Sequence, residues 1–174
     1  MRPGPILLAL VMTAGCMPSQ GGRRGGFGGP SPEIPEPVAI RVPTVPQIAG
    51  YSSAVKVGLT VYLAGQVGLD ANGEVAGADL DQQATQAVSN AIAIVHAARG
   101  ATGDIVKLTF YYVATSPDDP ALLVGVVDRL LSRQHPPALT LVPVTSLPRA
   151  GLRVAVDGIA MLRGEFPDRG RDRD

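Results

Sequence analysis

Between Asp79 and Gly100 the apolar residues stop alternating and begin to recur at steps of three and four, and this switch constrains the fold more than any other feature. In DLDQQATQAVSNAIAIVHAARG they fall at Leu80, Ala84, Ala87, Val88, Ala91, Val95 and Ala98, the buried stripe of a one-sided helix. Asp79 with Gln82 supplies a capping box at its start, and Gly100 a stop at its end. His96 lies on the polar side and reads as a solvated helix residue rather than a catalyst.

On either side of this helix the sequence favours strands. VAIRV (Val38–Val42) is a short β-rich run closed by Pro43 and Pro46, and two more runs within Tyr51–Gly68, separated by Gly58, predict a hairpin. DANGEVAG is turn chemistry throughout. DIVKLTFYYVA (Asp104–Ala114) returns to strand, with Val106, Leu108, Phe110 and Tyr112 on one face. A second, very apolar helix follows, capped by Asp119 with Pro120 at its first position, and runs to about Arg133. The almost uncharged PPALTLVPVTSLPRAGLRVAVDGIAM (136–161) predicts two strands joined by a turn, a closing hairpin. The order is strand, strand, strand, helix, strand, helix, strand, strand. It implies an α+β fold, a sheet of about six strands with two helices on one face. The other face, read as rich in Val, Ala and Leu, predicts self-association.

Charge and composition exclude several functions. Fifteen basic residues balance fifteen acidic ones, and no basic stripe with interleaved aromatics is present, so nucleic acid is not an expected partner. A single cysteine rules out an internal disulfide framework, and two separated histidines, His96 and His135, argue against a metal site. No cofactor is expected.

The ends lie outside the predicted domain. Residues 1–16 read as an export signal: Arg2, a short apolar run Ile6–Met12, then small Ala14–Gly15 before Cys16. Small residues before a lone cysteine resemble a bacterial lipobox, which would make Cys16 the lipidated first residue of an exported lipoprotein held to the membrane by that anchor alone. Thr13 stands where such motifs usually carry Leu. The alternatives are an unlipidated signal peptide, or a misplaced start upstream of a cytoplasmic protein. Residues 17–37 grade from Gly-rich to Pro-rich and suit a tether. The expected domain is 38–162, followed by a mixed-charge tail, 163–174.

GDIVKLTFYYV, AGYSSAVKVG, VYLAGQVGLD…GEV and SLPRAGLRVAVDGIAM together resemble the RidA/YjgF family of reactive-intermediate deaminases, over about Val45 to Leu162 and in the family's order. The resemblance implies a chorismate-mutase-like α+β fold assembled as a homotrimer, with ligand clefts between subunits. Deaminating members hydrolyse 2-imino acids or their enamine tautomers to ammonia and a 2-keto acid. An arginine holds the substrate carboxylate through both oxygens, and a glutamate positions the attacking water.

The resemblance fails at those two positions. The family's Pro-Ala-Arg-Ser becomes Pro137-Ala138-Leu139-Thr140, so Leu139 takes the arginine's place. On the last strand Val156–Ala160 matches the family's run, and the glutamate position two residues before Asp157 is Ala155. Of the other cleft positions, Tyr51 and Gly65 match, a serine that often precedes the glycine is Ala64, and the asparagine on the second helix aligns loosely with Val124. The cleft is thus assigned to Tyr51, Ala64, Gly65, Leu139 and Ala155. Asp157 and Arg153 are weak substitutes. Each lies two residues from Ala155, ~7 Å at ~3.3 Å per residue, whereas a base must come within about 3 Å of its water. Both read more simply as interface or rim charges. Arg149, after Leu147-Pro148, reads as surface.

Three functions follow from this reading. The first is a RidA-like protein without imine deaminase chemistry that keeps a cleft for a small apolar or aromatic ligand. The second is a deaminase or other hydrolase using Arg153, Asp157, Tyr51 or backbone groups. The third is a membrane-tethered structural trimer.

Overall fold

In the computed structural model, which describes residues 34–164 except 48 and 132–133, the helical pattern folds as α1, Leu80–Ala97. Asp79 takes the N-cap backbone position, but its side chain makes no capping bond. The helix ends before Gly100, and Arg99, at φ 66°, takes the left-handed position. The signal with Cys16, the tether up to residue 33 and the tail from residue 165 lie outside the described residues.

Around α1 stand six strands: β1 (Val38–Ile40), β2 (Ala54–Val57), β3 (Thr60–Val67), β4 (Ile105–Val113), β5 (Ala138–Val144) and β6 (Val154–Met161). A second helix, α2 (Asp119–Leu130), joins β4 to β5. The sheet order is β1, β2, β3, β6, β4, β5, and only the β4–β5 pair is parallel. The expected closing hairpin therefore does not form. β5 lies parallel to β4, a pairing that needs a crossover, which α2 provides. β6 inserts between β3 and β4, so β4 separates the two strands that looked like hairpin partners. Prolines explain part of this choice. Pro143 within β5 cannot donate to a ladder on both sides, and an edge strand tolerates it.

The core lies between the helices and one sheet face. Leu108, Phe110, Val154 and Val156 are wholly buried there beside Ala84, Val88, Ala91 and Ile94 of α1 and Leu123 and Val126 of α2. Val106 does not join them. A register shift between Ile105 and Lys107 turns it outward, 41% exposed. The opposite face is also more polar than expected. Registered pairs place Tyr62, Ile159 and Lys107 in one row, Asp157 beside Thr109, and Val67, Ala155 and Tyr111 in another. The Val and Leu residues of β4 and β6 are mostly on the helix side instead.

Candidate functional site

The groove at the β3–β6 end of the sheet is held in place by buried amides. Gln83 is fully buried on α1. Its Nε2 donates to the carbonyls of Gly77 (3.0 Å) and Gly151 (2.9 Å), and its Oε1 accepts the Arg153 amide (2.8 Å). One side chain thereby fixes the turn after β3 and the segment entering β6. A Cβ on Gly68 would lie 2.6 Å from the Gln83 Cβ, so the strand exit can approach α1 this closely only with glycine. Asn90, two helical turns further along the same stripe, donates to the carbonyls of Val67 (3.2 Å) and Leu69 (3.0 Å). On β3 itself a register shift lies between Leu63 and Gln66, and Gln66 Nε2 satisfies the Ala64 carbonyl at 2.9 Å.

These anchors leave a groove of about 770 Å³. Val67, Leu69, Leu152 and Ala155 supply its apolar lining, Tyr51 and Gly65 face it from the β2–β3 side, and Arg149 stands at its mouth. Three of the five expected cleft residues, Tyr51, Gly65 and Ala155, thus meet in one place. Ala64, half-buried beside Gly65, does not line the groove. Leu139 is elsewhere. It pairs with Leu108 on the edge strand and packs against the core on the helix side, two strands from Ala155. Within one chain the two positions that carry the family's arginine and glutamate do not converge.

Neither substitute charge is free. The Arg153 guanidinium donates through Nη2 to Thr115 Oγ1 and more distantly, at 3.4 Å, to the Val113 carbonyl and to Asp119 Oδ2. Asp119 also accepts the amide hydrogens of Thr115 (2.7 Å) and Ser116 (3.1 Å). The Thr115 amide in particular holds its carboxyl below the ordinary range, against the opposing effect of burial. The α2 N-terminus and Arg153 therefore form a structural clasp. Asp157 accepts the Tyr111 hydroxyl at 3.2 Å, and its negative charge is the main cause of the raised Tyr111 pKa. Neither Arg153 nor Asp157 lines the groove, and among the described residues Arg149 is the only charged one that does.

Gln83, Asn90 and Gln66 escaped the sequence reading, although a signal was available. Two amides seven residues apart, set in the apolar stripe of α1, must find buried partners. Arg149, read as surface, borders the groove, where its Nη1 donates to the Gly73 carbonyl at 2.7 Å. Among the described residues no cluster of His, Cys, Asp and Glu is placed to hold a metal ion, and no helix is long and apolar enough to cross a membrane.

Residues 43–162 match the family model described as Endoribonuclease L-PSP. A 2-iminobutanoate/2-iminopropanoate deaminase from Dermatophagoides farinae is 34% identical over 125 residues, which is 71% of this chain and 94% of the relative. The mouse protein of the same description is 33% identical over 120 residues, 68% of this chain and 85% of its own. Among solved structures, RidA from a Psychrobacter species superposes with a TM-score of 0.65 at 36% identity, covering 72% of this chain and 99% of that one. E. coli TdcF, solved with bound serine, superposes with a TM-score of 0.63 at 28% identity, covering 72% of this chain and 99% of its own.

Proposed function

Because the chain belongs to the RidA (endoribonuclease L-PSP) family and is related to its imine deaminases, we propose that it keeps the family's small-molecule cleft but has lost the deaminase reaction. The observation that carries this reading is Ala155. Its methyl group faces the groove where deaminating members place the water-positioning glutamate. Among the described residues no Asp, Glu or His lines the groove to take over. A positioned acid or base contributes about 10²–10⁴-fold to such a step, and Leu139 removes the carboxylate clamp as well. What is left is an apolar site that favours an aromatic or aliphatic body over a small imino acid.

The separation of Leu139 from Ala155 supports a cleft completed by a second copy, as in a homotrimer. Exposed Tyr62 and Met161 lie on or beside the open face such an assembly would cover. Lipidation at Cys16 would hold this assembly at a membrane, away from the cytoplasm.

Arg153 and Asp157 give little support to an alternative deaminase, because Asp119 and Thr115 engage one and Tyr111 the other. The test is keto-acid release from 2-iminopropanoate generated in situ, with and without the full-length protein. Release at the buffer rate is expected. Acceleration that Asp157→Ala or Arg153→Ala abolishes would restore the enzyme reading.

A further inference from the structure

Among the described residues Arg149 is the one charged residue lining the groove, and it is anchored there. Its Nη1 is committed to the Gly73 carbonyl at 2.7 Å, which ties the loop before β6 to the turn after β3. A guanidinium carries five N–H donors in a fixed planar fork, so one bond to a carbonyl leaves most of them for a ligand. Among the described residues Arg149 forms no ion pair, in contrast to Arg129, Arg153 and Arg163, which pair with Asp81, Asp119 and Asp104. Behind it lie Leu152, Leu69, Val67 and Ala155. The site thus offers an apolar floor with a single positive charge at its edge.

We propose that the groove takes a monoanion with an apolar body, a carboxylate on an aromatic or branched aliphatic group, and that Arg149 binds the carboxylate. The proposal rests on reading the groove as a small-molecule site and adds the class of ligand. Arg149 is then a specificity-determining residue of the groove. The anion sits at the mouth and the apolar body runs inward over Ala155, where the family's glutamate would have repelled it. A volume of about 770 Å³ is within the range of sites for small organic ligands. Arg41 is the competing cation, but it borders a neighbouring hollow walled by Gln47, Gly50, Tyr51 and Ser52, with little apolar surface for such a body.

Calorimetric titration of the full-length protein with 4-phenylbutyrate and with its neutral amide, 4-phenylbutyramide, tests the proposal. A solvent-accessible guanidinium–carboxylate contact is partly screened, so the acid should bind about two- to fivefold more tightly than the amide, and less so at high salt. Arg149→Met should bring the acid to the level of the amide and leave the amide unchanged, Arg149→Lys should keep part of the preference, and Arg41→Met should change neither. Equal affinity of acid and amide for the unaltered protein, or a preference that survives Arg149→Met, overturns the proposal while leaving an apolar binding groove in place. Failure of both compounds to bind overturns the proposal and the small-molecule reading together. A change of oligomeric state in Arg149→Met with the preference intact would instead assign Arg149 to a subunit contact.

Discussion

At the scale of single residues, the groove depends more on three buried amides than on any charged side chain. Gln83, itself fully buried, satisfies two carbonyls and one amide hydrogen of three partly buried backbone groups. Gln83→Ala would remove three hydrogen bonds to partly buried groups at about 0.5–1.5 kcal/mol each, so chemical denaturation should show a loss of about 1.5–4 kcal/mol. Hydrogen exchange should speed up first at Arg153. Gly65 should behave in the opposite way. Its φ is not positive, and an added Cβ meets nothing within 4 Å, so the fold does not require glycine there. Gly65→Ala should leave thermal stability unchanged or raise it by about 0.4–1 kcal/mol, while weakening any ligand that approaches the β3 backbone. Leu139 and Ala155 could be identified from the sequence by alignment with the family pattern. For Gln83 and Asn90 the spacing shows that they lie in the apolar stripe of α1, but not which backbone groups they bind, because those partners depend on what folds against the helix.

At the scale of elements, the period switch at Asp79 located α1, and the apolar run after Pro120 and the β-rich runs located α2 and the strands, because each such pattern needs only its own segment to be read. Strand neighbours are different. Nothing local in PPALTLVPVTSLPRAGLRVAVDGIAM tells a hairpin from two strands separated by β4; the outcome is set by the β4–α2–β5 crossover. The start of α2 offers a direct test of how this crossover is held. Asp119 has a carboxyl pKa depressed below its ordinary 3.8, chiefly by the Thr115 amide, so its stabilisation is present above that value and disappears as the pH falls through the lower, folded-state one. Asp119 is the first residue of α2 rather than its cap, which is Asp118, and its carboxylate bonds back to Thr115 and Ser116, so Asp119→Asn should cost about 1.5–3 kcal/mol at neutral pH, the range for hydrogen bonds to a charged group. Denaturation curves of the two proteins should begin to converge as the pH falls below 3.8 and meet only below the lower, folded-state value, and a difference that persists there would show that the clasp acts through shape rather than charge.

At the scale of the whole molecule, the account requires more than one copy of the chain. The two positions that should form one site stand two strands apart in a single subunit, and the sheet face away from the helices is open. Light scattering of the purified protein should give three times the chain mass. A monomer would separate Leu139 from the cleft altogether. Cys16→Ser should move the protein from the detergent phase to the aqueous phase if the cysteine carries a lipid, and an unchanged distribution would remove the anchor from the account. The central claim, that loss of two side chains accounts for loss of the reaction, is tested most directly by putting them back. The measurement is keto-acid release from in situ 2-iminopropanoate by the wild type, Leu139→Arg, Ala155→Glu and the double variant, each first shown to be folded. The account predicts the buffer rate for the wild type and both single variants, and at least a tenfold gain for the double, within the ~10²–10⁴-fold a positioned base supplies. A wild type that already accelerates release, or a folded double variant no faster than buffer, would contradict it.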